Sequence, residues 1–94
     1  MIVDNNELVR ELIREALLPM TSDVLECCSG EEAVARFDDY QPGWVTMDVL
    51  MDGIDGLEAA RRIKSNHPRA AILIVTLCDH PGIREAADKV GCVA

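Results

Sequence analysis

Two periodicities alternate along the chain. Residues 1-MIVD-4 form a short apolar run ending in an acid, after which Leu8, Leu12, Ile13, Ala16 and Leu17 mark one helical face that Pro19 closes. The segment 23-DVLECC-28 alternates loosely as a second strand. Ser29 and Glu32 then form a capping box for a helix with Ala33, Val34 and Phe37 on its apolar side. Pro42-Gly43 breaks the chain ahead of a third strand, 44-WVTMDV-49. Asp55 and Glu58 cap a helix carrying Leu57, Ala60 and Ile63, which stops before His67-Pro68. The continuous β-branched run 71-AILIVT-76 predicts a strand covered on both faces. Asp79 and Pro81 open a last helix with Ile83, Ala86, Ala87 and Val90 on one side and Gly91 at its end. Four alternations of strand and helix predict an α/β doubly wound domain around a parallel sheet.

In such sheets ligands bind outside the carboxyl ends of the strands. Those ends carry Asp4 and Asn5 from the first strand, Asp48 from the third and Thr76 from the fourth. Carboxylates held close together repel unless a cation or a shared proton compensates them. A hard divalent ion, Mg²⁺ above all, fits such oxygen ligands together with water and phosphate oxygens. A carboxylate there can act as a nucleophile toward phosphorus, with Thr76 donating a hydrogen bond to a phosphoryl oxygen. The competing reading is that Asp4 and Asp48 only cap helices or hydrate loops. Two other templates fail, because an EF-hand starting at Asp48 needs an acid at position 50 and Glu at 59, and a D-x-D loop also needs the acid at 50. Leu50 and Ala59 stand there.

Composition narrows the function further. The 94 residues allow one domain, residues 1–94, and 49% apolar with 28% charged residues is a globular balance. Nine basic against seventeen acidic side chains give a net charge of −8, which disfavours direct contact with nucleic acid or anionic membranes. The basic group Arg61, Arg62 and Lys64 reads as a solvated helix face. The opening MIVDNNELVR has no leader pattern, and 70-AAILIVTLC-78 is too short to span a bilayer, so a cytoplasmic protein is expected. Cys27, Cys28, Cys78 and Cys92 form no C-x-x-C pair and read as small buried or half-buried apolar residues. His67 and His80 read as surface or capping residues, and Trp44 as an edge-of-core residue.

The segments 2-IVDNNELVR-10, 44-WVTMDVLMDGIDGLEAARRIK-64 and 72-ILIVTLCDHPGIREAADKVGC-92 together resemble the receiver domain of bacterial two-component response regulators, the CheY-like family. The likeness runs from residue 1 to 94, and the last segment is similar to the branch that often carries a helix-turn-helix output domain and regulates transcription. It implies a flavodoxin-like parallel sheet with strand order 2-1-3-4, the fifth strand and fifth helix being largely missing. It also implies that Asp48 is the phosphoryl acceptor, that Asp4 and Asn5 hold Mg²⁺ with Asp48 and the Leu50 carbonyl, and that Thr76 is the switch hydroxyl. The implied donor is a sensor histidine kinase, and the implied role is a phosphorelay signalling module rather than an enzyme with turnover on a free substrate.

Three departures from the family pattern carry consequences. Asn5 replaces a second acid and so weakens Mg²⁺ binding; two unit charges ~4 Å apart at an effective dielectric near 20 interact by about 4 kcal/mol, an upper bound on that loss. Asp52 stands where proline is usual, adding charge and removing stiffness from the loop. The chain ends at Ala94, before the family's lysine and switch aromatic, which leaves the fourth strand as an expected sheet edge and a route to a homodimer. The alternatives are a phosphorylation-independent pseudo-receiver acting as an interaction module, or an inactive fragment of a longer regulator.

Overall fold

The structure, a computed structural model, describes residues 1–20, 24–51, 53–75 and 81–93. Its elements run β1 (Ile2–Val3), α1 (Glu7–Leu17), β2 (Glu26–Cys27), α2 (Gly30–Tyr40), β3 (Trp44–Met47), α3 (Gly56–Asn66), β4 (Ala71–Ile74) and α4 (Pro81–Val90). The strands form one parallel sheet in the order β2-β1-β3-β4. This is the predicted order, with every strand shorter than its apolar run.

Register divides the sheet into two unequal faces. Cys27, Val3, Met47 and Ile74 are partners across all four strands, so their side chains share one face. That row is buried against Ala33 and Phe37 of α2, Ala59, Ala60 and Ile63 of α3, and Ala87 of α4. Small alanines let these helices lie close to the sheet, and Phe37 and Ile63 fill the wider gaps. His67, the C-cap of α3, joins α2 to α3: its Nε2 lies 2.7 Å from Asp38 Oδ1 and its ring 4.8 Å from that of Phe37.

Glu26, Ile2, Thr46 and Leu73 occupy the opposite row, under α1. A glutamate inside a strand is accounted for by α1, whose Arg10 and Arg14 reach Glu26 Oε1 and Oε2 at 3.2 and 3.0 Å. Ile2 is fully buried there, yet no residue of α1 is, and Leu8 and Leu12 stand 70% and 67% exposed. Beyond the C-terminal end of α1 the sheet opens into a groove of about 980 Å³ lined by Leu17, Met20, Leu25, Trp44, Thr46 and Leu73. Trp44, expected at the edge of the core, is an exposed wall of this groove.

Two expectations are corrected here. The β4 edge is not bare, because Val93 forms a parallel bridge with Leu73, accepting from Ile74 N–H at 2.6 Å and donating to the Ile72 carbonyl at 3.0 Å. A single residue thus pairs along the outer edge of β4, which remains the last of the four strands. Of the cysteines, Cys27 and Cys92 are buried as expected and Cys28 is exposed, since it faces away from the row that Cys27 joins; Cys78 lies outside the described residues.

Two predictions follow from the packing. Thr46 Oγ1 is buried without a hydrogen-bond partner among the described residues, so Thr46→Val should raise stability to urea by about 1 kcal/mol. Burial, helped by the Glu32 carboxylate, pushes the Cys27 thiol from 9.0 up to about 11. The unfolded chain loses that proton near pH 9 while the folded chain keeps it, so the thiol's contribution is intact below pH 9 and lost as pH rises through about 11. Urea midpoints measured from pH 8 to 10.5 should fall more steeply for the native chain than for Cys27→Val.

Candidate functional site

The rim at the carboxyl ends is set by hydrogen bonds that carry the sheet one residue past its strands. Asp48 N–H donates to the Val3 carbonyl at 2.9 Å, and Val75 N–H to the Met47 carbonyl at 2.9 Å. Asp4, following Val3, therefore stands beside Asp48, following Met47, with Val75 beyond it. Two of the three predicted strand-end acids and amides thus meet on adjacent strands, with Asn5 exposed at the outer margin.

Asp4 is 4% exposed, the one buried charged residue among those described. Its main chain is held on both sides: its N–H donates to the Cys27 carbonyl at 3.1 Å and its carbonyl accepts from Arg10 Nη1 at 2.7 Å. Its Oδ1 accepts from Asn6 N–H at 2.8 Å, which braces the turn into α1. The helix cap itself is Asn6, whose Oδ1 accepts from Leu8 and Val9 N–H at 2.9 and 3.2 Å. One oxygen of Asp4 thus performs the structural task, and among the described residues no side-chain cation pairs with its carboxylate. A buried acid beside a second acid, with an amide and a carbonyl near in sequence, is a donor set suited to a hard cation. The described residues hold no group of three or more His, Cys, Asp or Glu that could hold a metal ion.

The loop from Asp48 to Gly56 folds back on its own start. Gly56 N–H donates to the Val49 carbonyl at 3.0 Å. A Cβ on Gly56 would collide with the Asp48 carbonyl and meet Met47 Cγ at 2.9 Å, so only glycine fits against the strand end. Asp55 caps α3, its Oδ1 accepting from Glu58 N–H at 2.8 Å. Leu50 is 61% exposed, with its side chain outside the core. Thr76, Asp52 and His80 lie outside the described residues.

A family model for the response regulator receiver domain matches residues 1–93. The chain belongs to the response regulator receiver domain family. It is 37% identical over 81 residues to the response regulator GacA of Pseudomonas viridiflava, a match covering 84% of this chain and 38% of the relative. It is 38% identical over 79 residues to the response regulator protein VraR of Staphylococcus aureus strain NCTC 8325 / PS 47, covering 81% and 37%. The receiver domain therefore spans well under half the length of these curated relatives. Among solved structures it resembles a LuxR-family two-component response regulator from Aurantimonas sp. SI85-9A1, with TM-score 0.91 and 30% identity over 98% of this chain and 67% of that one. It also resembles the response regulator protein TrrA from Thermotoga maritima in complex with Mg(2+)-BeF, with TM-score 0.88 and 28% identity over 99% and 81%.

Sequence reading missed three residues that hold this receiver's rim. Asn6 carries a cap signal, an Asn just before the first periodic apolar residue, that the neighbouring Asn5 obscures. Arg10 and Gly56 act through contacts to backbone carbonyls, which leave no periodic mark. Of the basic group expected to be a solvated face, Arg61 and Arg62 are exposed and both bond Glu58, while Lys64 is half-buried and donates to the Pro68 and Ala70 carbonyls. No helix of the described residues is long and apolar enough to cross a membrane. Gly56→Ala should lower stability by about 1–3 kcal/mol in urea unfolding, since the added carbon meets backbone that cannot move without dislodging Asp48.

Proposed function

We propose that this receiver domain accepts a phosphoryl group on Asp48 from the phosphohistidine of a sensor histidine kinase, with Mg²⁺, and passes the resulting conformational change to an output. The observation that carries this reading is the hydrogen bond from Asp48 N–H to the Val3 carbonyl, which sets the half-buried Asp48 beside the buried Asp4. A carboxylate oxygen of Asp48 attacks phosphorus, the P–N bond breaks, and its electron pair returns to the imidazole nitrogen, which takes up a proton. Asp4, Asn5, Asp48 and the Leu50 carbonyl would hold the cation. The chemistry a bound Mg²⁺ would supply there is screening of the phosphoryl oxygens from the acids around them. Thr76 is the hydroxyl we assign to the phosphoryl oxygen as the switch, and the repacking behind it biases a two-state equilibrium.

The domain works as a cytoplasmic signalling module, modified once per event, rather than as an enzyme turning over a free substrate. The output we infer is transcription regulation, in keeping with relatives named response regulators and a solved neighbour described as a DNA-binding response regulator of the LuxR family. DNA contact then falls to a part of the regulator other than this acidic domain.

A second reading is favoured by one observation, the open apolar face formed by α1 and the groove beside it. There the domain is a pseudo-receiver that binds a partner or a second copy without phosphorylation, and the loss of an acid at Asn5 supports it. Incubation with acetyl phosphate and Mg²⁺ separates the two. The first reading expects a one-phosphoryl adduct by intact mass, absent with a chelator and absent in Asp48→Asn. An adduct that survives Asp48→Asn sinks it. Asn5→Asp should tighten Mg²⁺ binding by roughly tenfold in a calorimetric titration, about 1.4 kcal/mol and well inside the Coulombic bound for one restored charge.

A further inference from the structure

The loop between Asp48 and Gly56 is held at two places. At its neck, Gly56 N–H bonds the Val49 carbonyl and the Gly56 Cα rests on the Asp48 carbonyl. At its tip the contact comes from a different element, the first turn of α2. Gly30 lies so close that a Cβ there would be 2.8 Å from Ile54 Cγ1 and 3.0 Å from the Ile54 carbonyl. Next to it, Glu31 lays its carboxylate over the loop, with Oε1 accepting a long hydrogen bond from Ile54 N–H at 3.4 Å. Gly53, at φ +80°, presents its Cα to the same carboxylate, and a Cβ there would strike both oxygens.

We infer that Glu31 is a positioning residue for phosphoryl transfer, clamping the tip of the acceptor loop so that the backbone running from Asp48 keeps one course. The inference rests on the reading of Asp48 as acceptor. With neck and tip both fixed, the Leu50 carbonyl lies on a segment whose two ends cannot drift apart. Without Glu31 the tip keeps the packing of Gly30 on Ile54 but loses the hydrogen bond at Ile54 N–H, and a cation ligand on a looser segment is less preorganised. An acid suits the task because it sits at the N-terminal end of α2, where the exposed amide groups of the helix favour negative charge. The ordinary alternative is that Glu31 is only a first-turn acid on the solvent side of α2, contributing to helix stability and nothing to the rim.

Two substitutions in the full chain separate these roles. Glu31→Gln keeps the reach and an acceptor oxygen, and Glu31→Ala removes both. Hydrogen exchange at Ile54 N–H reports the clamp directly, and the rate of adduct formation with acetyl phosphate and Mg²⁺ reports its effect on Asp48. Glu31→Ala is expected to speed exchange at Ile54 and slow adduct formation, each by roughly threefold, the scale of one exposed hydrogen bond. Glu31→Gln is expected to restore both to about the native values, a rescue that a helix-dipole role would not give because the charge is gone. Unchanged exchange at Ile54 in Glu31→Ala overturns the clamp, and faster exchange with an unchanged adduct rate overturns its role in positioning. A native chain that forms no adduct overturns the acceptor reading itself, an outcome distinct from either.

Discussion

The parallel pairing of β1 with β3 is the constraint on which the rest depends. It contributes few hydrogen bonds, since β1 is two residues long, but those bonds decide which residues leave the sheet side by side. Because side chains alternate with period two, a slip of one residue would turn Val3 and Met47 out of the core and send Asp4 and Asp48 to the opposite face. Burial of the Cys27, Val3, Met47 and Ile74 row against α2, α3 and α4 therefore fixes the register, and the register places the acids. Packing on one face of the sheet sets the chemistry at its end.

Asp4 is tolerated at the rim because its own backbone is engaged on both sides. Asp4 has its N–H on β2, its carbonyl on Arg10 and one carboxylate oxygen on the turn into α1. Arg10 thereby serves two purposes, since its Nε also meets Glu26 at the edge strand, tying α1 to the sheet and to the rim at once. Half-exposed ion pairs of this kind stabilise little by themselves. Their weight lies in orientation: the helix that carries Asn6 and Arg10 is seated by polar contacts at its inner side, while its apolar residues Leu8 and Leu12 remain in solvent.

Much of this architecture was legible in the sequence. Alternating periods placed all eight elements, Ser29 and Asp55 behave as the caps their spacing implied, and the strand order follows the family pattern. The capping box at Ser29 closes in a shifted form, with Glu32 Oε1 accepting from Cys28 N–H at 3.2 Å. Strand ends were read too long, because an apolar run continues past the regular ladder: Asp48 and Val75 keep one cross-strand hydrogen bond each beyond β3 and β4, and Val49 follows into the loop. The pairing of Val93 with β4 was not foreseen, since one residue has no periodicity to read. Glu31, Arg10 and Gly56 were invisible for a related reason. Each acts on a backbone group, and Glu31 reaches one 23 residues away, a relation that only the folded register creates.

The two faces of the sheet differ in a way that bears on how a modified rim would be sensed. Against α2, α3 and α4 the side chains are close-packed, so a shift at the strand ends has no slack to absorb it and must move whole elements. Against α1 the packing is open, with Thr46 and Leu73 lining a groove, and a shift there meets little resistance. A change at Asp48 enters the dense layer through Met47 below it and through the loop that Gly56 and Glu31 fasten to α3 and α2. The rim is thus coupled mechanically to the α2 and α3 side, where bistable repacking is physically possible, and is tied to α1 by the hydrogen bonds of Asp4 with Asn6 and Arg10. The glycine that lets Gly56 lie on the Asp48 carbonyl is part of that coupling as much as the acid itself.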